Sequence, residues 1–465
     1  MEYLTWLLQL GAQQKDFRYH PMCKSLKIIN LCFIDDLVIF CKANSGSAQV
    51  VKQVFEDFCS STGLKANINK SQIFFGGVSA AIKDQILQIL QLEEGTFPLK
   101  YLGIPMRPTK WKMTDCEEIL KKIKLRLHTW ASRHLSYAGL IQLITSVLLG
   151  LRNYWMNIFL LPQSIVKEVD KLCLWFLWGN NGTRSKFHLT PWSTVCLPKR
   201  FGVLRFGEGT KWNKAMLAKY IWAISHQPET LWVKWTNTVY LKGQNFWQYQ
   251  LKADSSWYWQ KICHMRDTVF QRDIDEASSQ GRFKISLLYM RFIHQDSVKY
   301  HPFVWNRMSV PKHRFITWQA VNEKLLTHDH LHRVLMLLDC LLCPVYELAA
   351  KNHEHLFFDC NFSQQVVQQV QKRLGCNWPL NFNEWTRWIE DMRGDLKTAL
   401  VAAVFSATIY YIWYNRNTCV VNHFSHRVNC IVDMIKKDIS YRSRCFLQKK
   451  MSGTERTFVR NLSSL

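Results

Sequence analysis

Two adjacent aspartates, Asp35 and Asp36, stand in the middle of the short apolar stretch LCFIDDLVIF. The runs KIINLCF before them and LVIFC after them are rich in β-branched and aromatic residues, which favour strands. Two such runs predict a β-hairpin with the aspartates at its tip, where adjacent carboxylates can bind a hard cation such as Mg²⁺. The alternative is a tight turn in which the two aspartates serve only the backbone geometry.

A second group of potential metal ligands lies in the segment DCLLCPVYELAAKNHEHLFFDC. Cys340 and Cys343 form a C-x-x-C pair, eleven residues separate Cys343 from His355, and four separate His355 from Cys360. Two close pairs of soft ligands suit a closed, tetrahedral, structural Zn²⁺ site. Two alternatives stay open: His353 could replace His355, or the cysteines could be small hydrophobic residues in an apolar helix.

The composition indicates a basic, folded, intracellular protein. Sixty lysines and arginines against 35 acidic residues give the 465-residue chain a formal charge of +25, which favours polyanionic partners such as RNA or DNA. Fifteen cysteines without a charged and apolar leader are typical of a reducing compartment. The apolar stretch 399–414 is shorter than the roughly 20 residues of a membrane span, so it predicts a buried helix and no membrane partner.

An amphipathic basic helix is predicted after residue 114. Thr114 and Glu117 form a capping-box pattern, and Ile119, Ile123 and Leu127 then recur every four residues along one face. Basic residues occupy the other faces. The predicted contacts to phosphate are Lys121, Lys122, Lys124 and Arg126. The alternative is a solvated helix face without a binding role.

Several motifs in this order resemble the reverse transcriptase of plant LINE-type, non-LTR retrotransposons. FIDD at 33–36 is similar to the F-A-D-D catalytic box of that family, with Ile34 in place of the usual small residue. The other matching segments are TGLKANINKS at 62–71, PLKYLGIP at 98–105, WASRHLSYAGLIQLITSVL at 130–148 and LWFLWG at 174–179. The resemblance is strongest over residues 30–210 and 300–365.

The resemblance implies a polymerase site that this chain supplies only in part. Asp35 and Asp36 match catalytic, Mg²⁺-binding positions, and Lys70 lies near the position of a lysine that can protonate the departing pyrophosphate. Two-metal nucleotide transfer needs a further carboxylate from another strand. Before Asp35 the chain offers only Glu2 and Asp16, and neither lies in a strand pattern. We therefore expect these catalytic positions to be vestigial.

The segment that ends in HLFFDC resembles the zinc-binding domain that follows reverse transcriptase in plant retroelements. The family signature ends in H-L-F-F-x-C, and its ligand positions fall here on Cys340, Cys343, His355 and Cys360. The preceding segment, 304–333, is similar to the helical lead-in of that domain. The residues expected to pack there are Phe315, Trp318 and Leu325.

These observations predict an α+β, mostly helical chain with a partial palm hairpin, a helical thumb and connection, a zinc-binding domain and C-terminal helices. The first two predicted domains are the C-terminal part of a reverse transcriptase palm, 1–110, and a helical thumb-like region, 111–180. A connecting region, 181–300, follows. The last two are the reverse transcriptase zinc-binding domain, 301–375, and a C-terminal helical region, 376–465.

The predicted function is that of a truncated retrotransposon reverse transcriptase, since Met1 matches an internal position of the family. Binding of Zn²⁺ and of RNA or DNA is expected, but polymerisation is not, and Mg²⁺ is expected only where the polymerase site is completed. The alternatives are an active polymerase completed by upstream sequence and a decayed remnant with no activity. The resemblance alone implies the nucleus, and the sequence leaves open whether a protein partner exists.

Overall fold

A computed structural model describes residues 1–131, 135–178, 190–201, 203–325, 327, 343, 352–374, 378–379, 381–392 and 396–446. These residues are mostly helical and contain four two-stranded sheets. The prediction of an α+β, mostly helical class is therefore confirmed.

The α-helices of the described residues are mostly short and amphipathic. Their bounds are Glu2–Gly11, Ser45–Thr62, Ala80–Leu90, Glu117–Ala131, Tyr137–Leu143, Leu149–Met156, Gln163–Trp178, Trp192–Val195, Gly209–His226, Leu231–Thr236, Trp257–His264, Gln271–Glu276, Ile285–Arg291, His301–Val304, Pro311–Val321, Asn361–Leu374, Phe382–Asp391, Leu396–Asn422 and Val428–Phe446. π-Helical turns span Ile144–Leu148, Asn237–Leu241 and His355–Asp359. Helices of 3₁₀ type span Lys24–Leu26, Ile68–Lys70, Thr114–Cys116, Lys199–Phe201 and Met265–Asp267.

The four sheets are small, and each pairs strands that are close in sequence. The antiparallel pairs are Asn30–Phe33 with Asp36–Ile39, Leu99–Tyr101 with Ile104–Met106, and Ser278–Ser279 with Arg282–Phe283. The parallel pair is Gln72–Ile73 with Glu93–Glu94. Because none of these sheets exceeds two strands, the hydrophobic cores are built mainly from helices.

The chain forms two compact units, each made of three sequence segments. Unit 1 consists of Met1–Leu120, Asn153–Ile165 and Trp212–Phe292. Unit 2 consists of Lys121–Arg152, Val166–Lys211 and Ile293–Leu465. The five predicted domains stay predictions.

In unit 1, the first two helices hold the carboxylate hairpin. Their shared core consists of Leu4, Leu8, Ala12, Phe17, Ile29, Val50, Val51, Val54 and Phe58. Gly11 allows the helices to approach closely, since a Cβ atom there would lie 2.8 Å from Cγ2 of Val54. Leu37 and Ile39 of the second hairpin strand pack against this core. The base of the hairpin is therefore anchored, whereas its tip projects into solvent.

In unit 2, the helix Leu396–Asn422 packs against Pro311–Val321 and Val428–Phe446. The predicted buried helix at 399–414 is confirmed, because residues 400–409, 411 and 412 are all buried. Phe315, Trp318 and Leu325 are also buried, with exposed fractions of 0%, 2% and 1%.

The start of the basic helix differs from its prediction. Thr114 is the first residue of the 3₁₀ turn Thr114–Cys116, and the α-helix begins at Glu117. The capping-box prediction is therefore wrong, because helical geometry already includes Thr114. A carboxylate oxygen of Asp115 instead accepts a hydrogen bond from the backbone N–H of Lys112 at 2.7 Å.

Candidate metal centre and carboxylate hairpin

Cys343, His355 and Cys360 come together in one largely buried group. Their ligand atoms, two Sγ atoms and a ring nitrogen, all lie within 4.8 Å of one another. In the part of the chain that the structure describes, no other set of three histidine, cysteine or acidic side chains meets this distance. Three converging soft ligands suit a tetrahedral Zn²⁺ site with one position left for a further ligand.

A π-helical turn, His355–Asp359, holds His355 and Cys360 side by side. The backbone N–H of Cys360 donates a hydrogen bond to the carbonyl oxygen of His355 at 2.9 Å. The backbone N–H of His355 donates to Oδ1 of Asn352 at 2.7 Å. The helix Asn361–Leu374 begins directly after Cys360, so the turn and the helix start together fix the spacing of these two ligands.

The electrostatic surroundings of this group suit a bound cation. A hydrogen bond with Cys343, together with burial, raises the pKa of the Cys360 thiol, although the backbone N–H groups of Phe362 and Ser363 oppose this shift. Nε2 of His355 is buried without a hydrogen-bond partner among the described residues. A divalent cation would stabilise the thiolate form of Cys360 and would give the ring nitrogen of His355 a bonding partner. The residues present therefore fit zinc.

The other two predicted candidates for this site have different positions. Cys340 lies outside the described residues. His353 is buried and is not part of the group, because its Nε2 accepts a hydrogen bond from the backbone N–H of Leu325 at 3.1 Å. The structure thus brings together three of the four predicted ligands, and their binding of zinc stays a prediction.

Asp35 and Asp36 lie at the tip of an antiparallel hairpin. Phe33 pairs with Asp36, so Ile34 and Asp35 form a two-residue turn. Both aspartates are exposed, as are Phe33 and Ile34. Within the described residues, no third histidine, cysteine or acidic side chain joins both aspartates within 4.8 Å. The hairpin tip therefore presents two solvated carboxylates.

The remaining predicted site residues are all exposed. Lys70 ends the 3₁₀ turn Ile68–Lys70 and forms no ion pair with Asp35 or Asp36 in the described chain. The predicted phosphate contacts lie along the helix Glu117–Ala131: Lys121, Lys122, Lys124 and Arg126. Ile119 and Ile123 of the same helix are buried, as its amphipathic pattern predicts. The catalytic and nucleic-acid roles of these residues stay predictions.

A buried ion pair in unit 2 carries no recognisable sequence signal. Nη1 of Arg152 lies 2.8 Å from Oδ1 of Asp170, and Nη2 of Arg152 donates to the carbonyl oxygen of Gly207 at 3.2 Å. The guanidinium of Arg152 is fully buried. Burial raises the pKa of Asp170 to about 6, although Arg152 lowers it. The effect of burial on the pKa of Asp170 is therefore larger than the opposing effect of the ion pair.

A second buried polar network joins three helices of unit 2. Nε2 of His313 lies 3.3 Å from Oδ2 of Asp438, and the Tyr411 hydroxyl donates to the same oxygen at 2.8 Å. Burial lowers the pKa of His313, although Asp438 opposes this shift. Burial also raises the pKa of Asp438, but the nearby His313 and the hydrogen bond from Tyr411 outweigh this effect, so the pKa of Asp438 is lowered. The network links the helices Pro311–Val321, Leu396–Asn422 and Val428–Phe446 through one partly buried carboxylate.

Comparison with known proteins places the candidate metal centre in a recognised domain. Residues 283–366 match the family zf-RVT, described as zinc-binding in reverse transcriptase. A protein of Arabidopsis thaliana named as a ribonuclease H protein is 34% identical over 155 residues, which are 33% of this chain and 25% of that protein. An uncharacterized mitochondrial protein of the same plant is 27% identical over 122 residues, 26% of this chain and 79% of that protein.

The matched segment contains all three converging ligands, Cys343, His355 and Cys360. These matches support a retrotransposon-derived origin and a relation to reverse transcriptases. The matching region spans only a quarter of the first of these relatives. Within the described residues, no helix has both the length and the apolar character that a membrane crossing requires.

Proposed function

We propose that this chain is a zinc-stabilised, nucleic-acid-binding protein derived from a LINE-type reverse transcriptase. The observation that carries the proposal is the convergence of Cys343, His355 and Cys360 within 4.8 Å. It lies inside the segment that matches a zinc-binding reverse transcriptase family.

In this proposal the metal has a structural role. Cys343, His355 and Cys360 would hold Zn²⁺ together with Cys340, the fourth ligand predicted from the sequence. Bound zinc would neutralise the charge of the thiolates and cross-link Cys343 to His355 and Cys360. A closed set of four protein ligands leaves no open position for a substrate, so the site would not be catalytic.

Nucleic-acid binding is the activity that the charge distribution supports. The chain carries a formal charge of +25, and Lys121, Lys122, Lys124 and Arg126 lie exposed along one helix. Binding of RNA or DNA should weaken steeply with salt, because each neutralised phosphate releases condensed counterions.

Polymerisation is not part of the proposal for this polypeptide alone. Asp35 and Asp36 supply two exposed carboxylates, whereas two-metal phosphoryl transfer uses carboxylates from separate strands to hold Mg²⁺. An active polymerase in which another segment or polypeptide supplies the further ligand is the second candidate function, favoured by the hairpin tip itself. Primer extension by the purified chain would overturn our preference.

The first test is the zinc content of the protein purified under reducing conditions. We expect one zinc per chain, and loss of this zinc in Cys360→Ser. Cys430→Ser is the matched control, because Cys430 is exposed and is not part of the ligand group. Wild-type protein without zinc, or equal zinc in Cys360→Ser, would contradict the metal assignment. A salt-independent affinity for RNA and DNA would contradict the nucleic-acid assignment.

A further inference from the structure

Two guanidinium groups of unit 2 converge on a single backbone oxygen. Nη2 of Arg314 donates to the carbonyl oxygen of Arg307 at 3.1 Å, and Nη2 of Arg442 donates to the same oxygen at 2.8 Å. Nε of Arg314 also donates to the carbonyl oxygen of Ser309 at 2.8 Å. The loop 305–310 therefore holds two cationic side chains from different helices next to each other.

Lys199 brings a further positive charge to the same loop. Its Nζ lies 5.7 Å from the ring centroid of Trp305, a cation–π distance. The backbone N–H of Val298 donates to the carbonyl oxygen of Arg200 at 3.0 Å, which fixes the 3₁₀ turn Lys199–Phe201 beside this part of the chain. We name Lys199, Arg307, Arg314 and Arg442 the loop cluster.

For three of the four residues of the loop cluster, no compensating carboxylate lies within ion-pair distance among the described residues. In the described part of the chain, Lys199, Arg307 and Arg314 form no ion pair with a carboxylate, and Lys199 and Arg307 are exposed. Clustered like charges destabilise a fold unless an anion offsets them.

The charges in this cluster affect one another. Burial, together with the positive charges of Arg442 and Arg307, lowers the pKa of Arg314 to about 10. Partial burial lowers the pKa of Lys199, with added contributions from Arg314, Arg205 and Arg307. These shifts agree with the geometry: several cations share a small volume, and a bound anion would stabilise all of them.

We propose that the loop cluster binds the phosphate backbone of a nucleic acid. Guanidinium groups match phosphate oxygens in geometry and charge, and two of them held side by side by the same carbonyl oxygen are positioned before binding. Exposed Lys199 and Arg307 would extend the contact to neighbouring phosphates. The proposal rests on the proposed nucleic-acid binding and assigns part of it to a surface separate from the basic helix Glu117–Ala131.

The test uses Lys199→Gln/Arg307→Gln in the full chain. Neither side chain donates a hydrogen bond within the described residues, so we expect the variant to fold and to keep its zinc. The matched control is Lys252→Gln/Arg282→Gln, which removes the same two charges from exposed positions in unit 1. A single variant, Arg307→Gln, leaves the contact between Lys199 and Trp305 intact.

The measurement is the affinity for a labelled 20-nucleotide single-stranded RNA, and for DNA of the same sequence, across a salt series. We expect the double variant to reduce the slope of log affinity against log salt by roughly 1.4, about 0.7 for each lost phosphate contact. Arg307→Gln alone should reduce the slope by about half as much as the double variant. The control pair should keep the wild-type slope.

The remaining outcomes distinguish failure of the proposed function from failure of the loop-cluster assignment. If the wild-type protein binds neither probe, the proposed function fails, and this inference fails with it. If the wild-type protein binds but the cluster and control variants behave alike, the loop cluster alone is excluded and nucleic-acid binding stands. Loss of binding to phosphatidylserine vesicles, with RNA and DNA affinity unchanged, would also overturn the assignment to nucleic acid.

Discussion

The backbone N–H of Leu325 donates a hydrogen bond to Nε2 of His353 at 3.1 Å. This bond separates the roles of two histidines that the sequence leaves equivalent, because Nε2 of His355 has no hydrogen-bond partner among the described residues. His353 accepts a hydrogen bond from the backbone, whereas His355 brings a ring nitrogen within 4.8 Å of two thiols. Only His355 is therefore positioned as a metal ligand.

We predict that His355→Leu loses bound zinc, whereas His353→Leu keeps it. Removing His353 leaves the buried N–H of Leu325 without an acceptor, which costs about 1–3 kcal/mol of the free energy of unfolding. Zinc content by mass spectrometry and urea unfolding of both variants check the prediction. Equal loss of zinc from the two variants would show that His353 also acts on the metal.

The ion pair between Arg152 and Asp170 gives a prediction about buried charge. Asp170→Leu leaves a fully buried guanidinium without its carboxylate and should cost about 3–5 kcal/mol of the free energy of unfolding. The double variant Arg152→Leu/Asp170→Leu buries no charge and should lose less than Asp170→Leu alone. Urea unfolding measures both variants, and a loss in the double variant that equals or exceeds the loss in Asp170→Leu would contradict this prediction.

Local sequence patterns predicted the features that depend on local chain geometry. The hairpin around Asp35 follows from two β-prone runs separated by a short break. The approach of His355 to Cys360 follows from their close spacing, because one turn and a helix start are enough to bring them together. Thr114 shows the limit of such patterns, since the capping motif there was overridden by a 3₁₀ turn.

Contacts between distant segments could not be predicted in the same way. Lys199, Arg307, Arg314 and Arg442 come from different helices and loops, and each one alone has the sequence appearance of an ordinary surface cation. His313 and Asp438 are likewise 125 residues apart in the sequence. Their proximity depends on how the helices pack, and the hydrophobic pattern of one helix does not specify its partner.

The buried His313 predicts how stability depends on pH. Burial lowers its folded-state pKa below the ordinary value of 6.5. As the pH falls below about 6.5, the unfolded chain takes up a proton before the folded chain does, so the free energy of unfolding decreases. This loss continues down to the lowered pKa and is absent at neutral pH.

Urea unfolding of His313→Asn across pH 5 to 8 isolates this contribution. The variant should show a weaker decline below about 6.5 than the wild-type protein, because it lacks the titrating imidazole. His264→Asn is the control, since His264 is exposed. A decline of unchanged steepness in His313→Asn would assign the pH dependence to other groups, among them the carboxylates.

Ile34 holds the hairpin turn in an unfavourable backbone conformation. Its φ is +57°, in the left-handed region that β-branched residues rarely adopt, and its side chain is 77% exposed. Asparagine tolerates this region, so Ile34→Asn should raise the free energy of unfolding by about 1 kcal/mol with little lost burial. Ile34→Val is the control, because valine is also β-branched and should bring no gain. Urea unfolding checks both variants, and a loss of stability in Ile34→Asn would show that the exposed isoleucine side chain contributes more than its backbone strain costs.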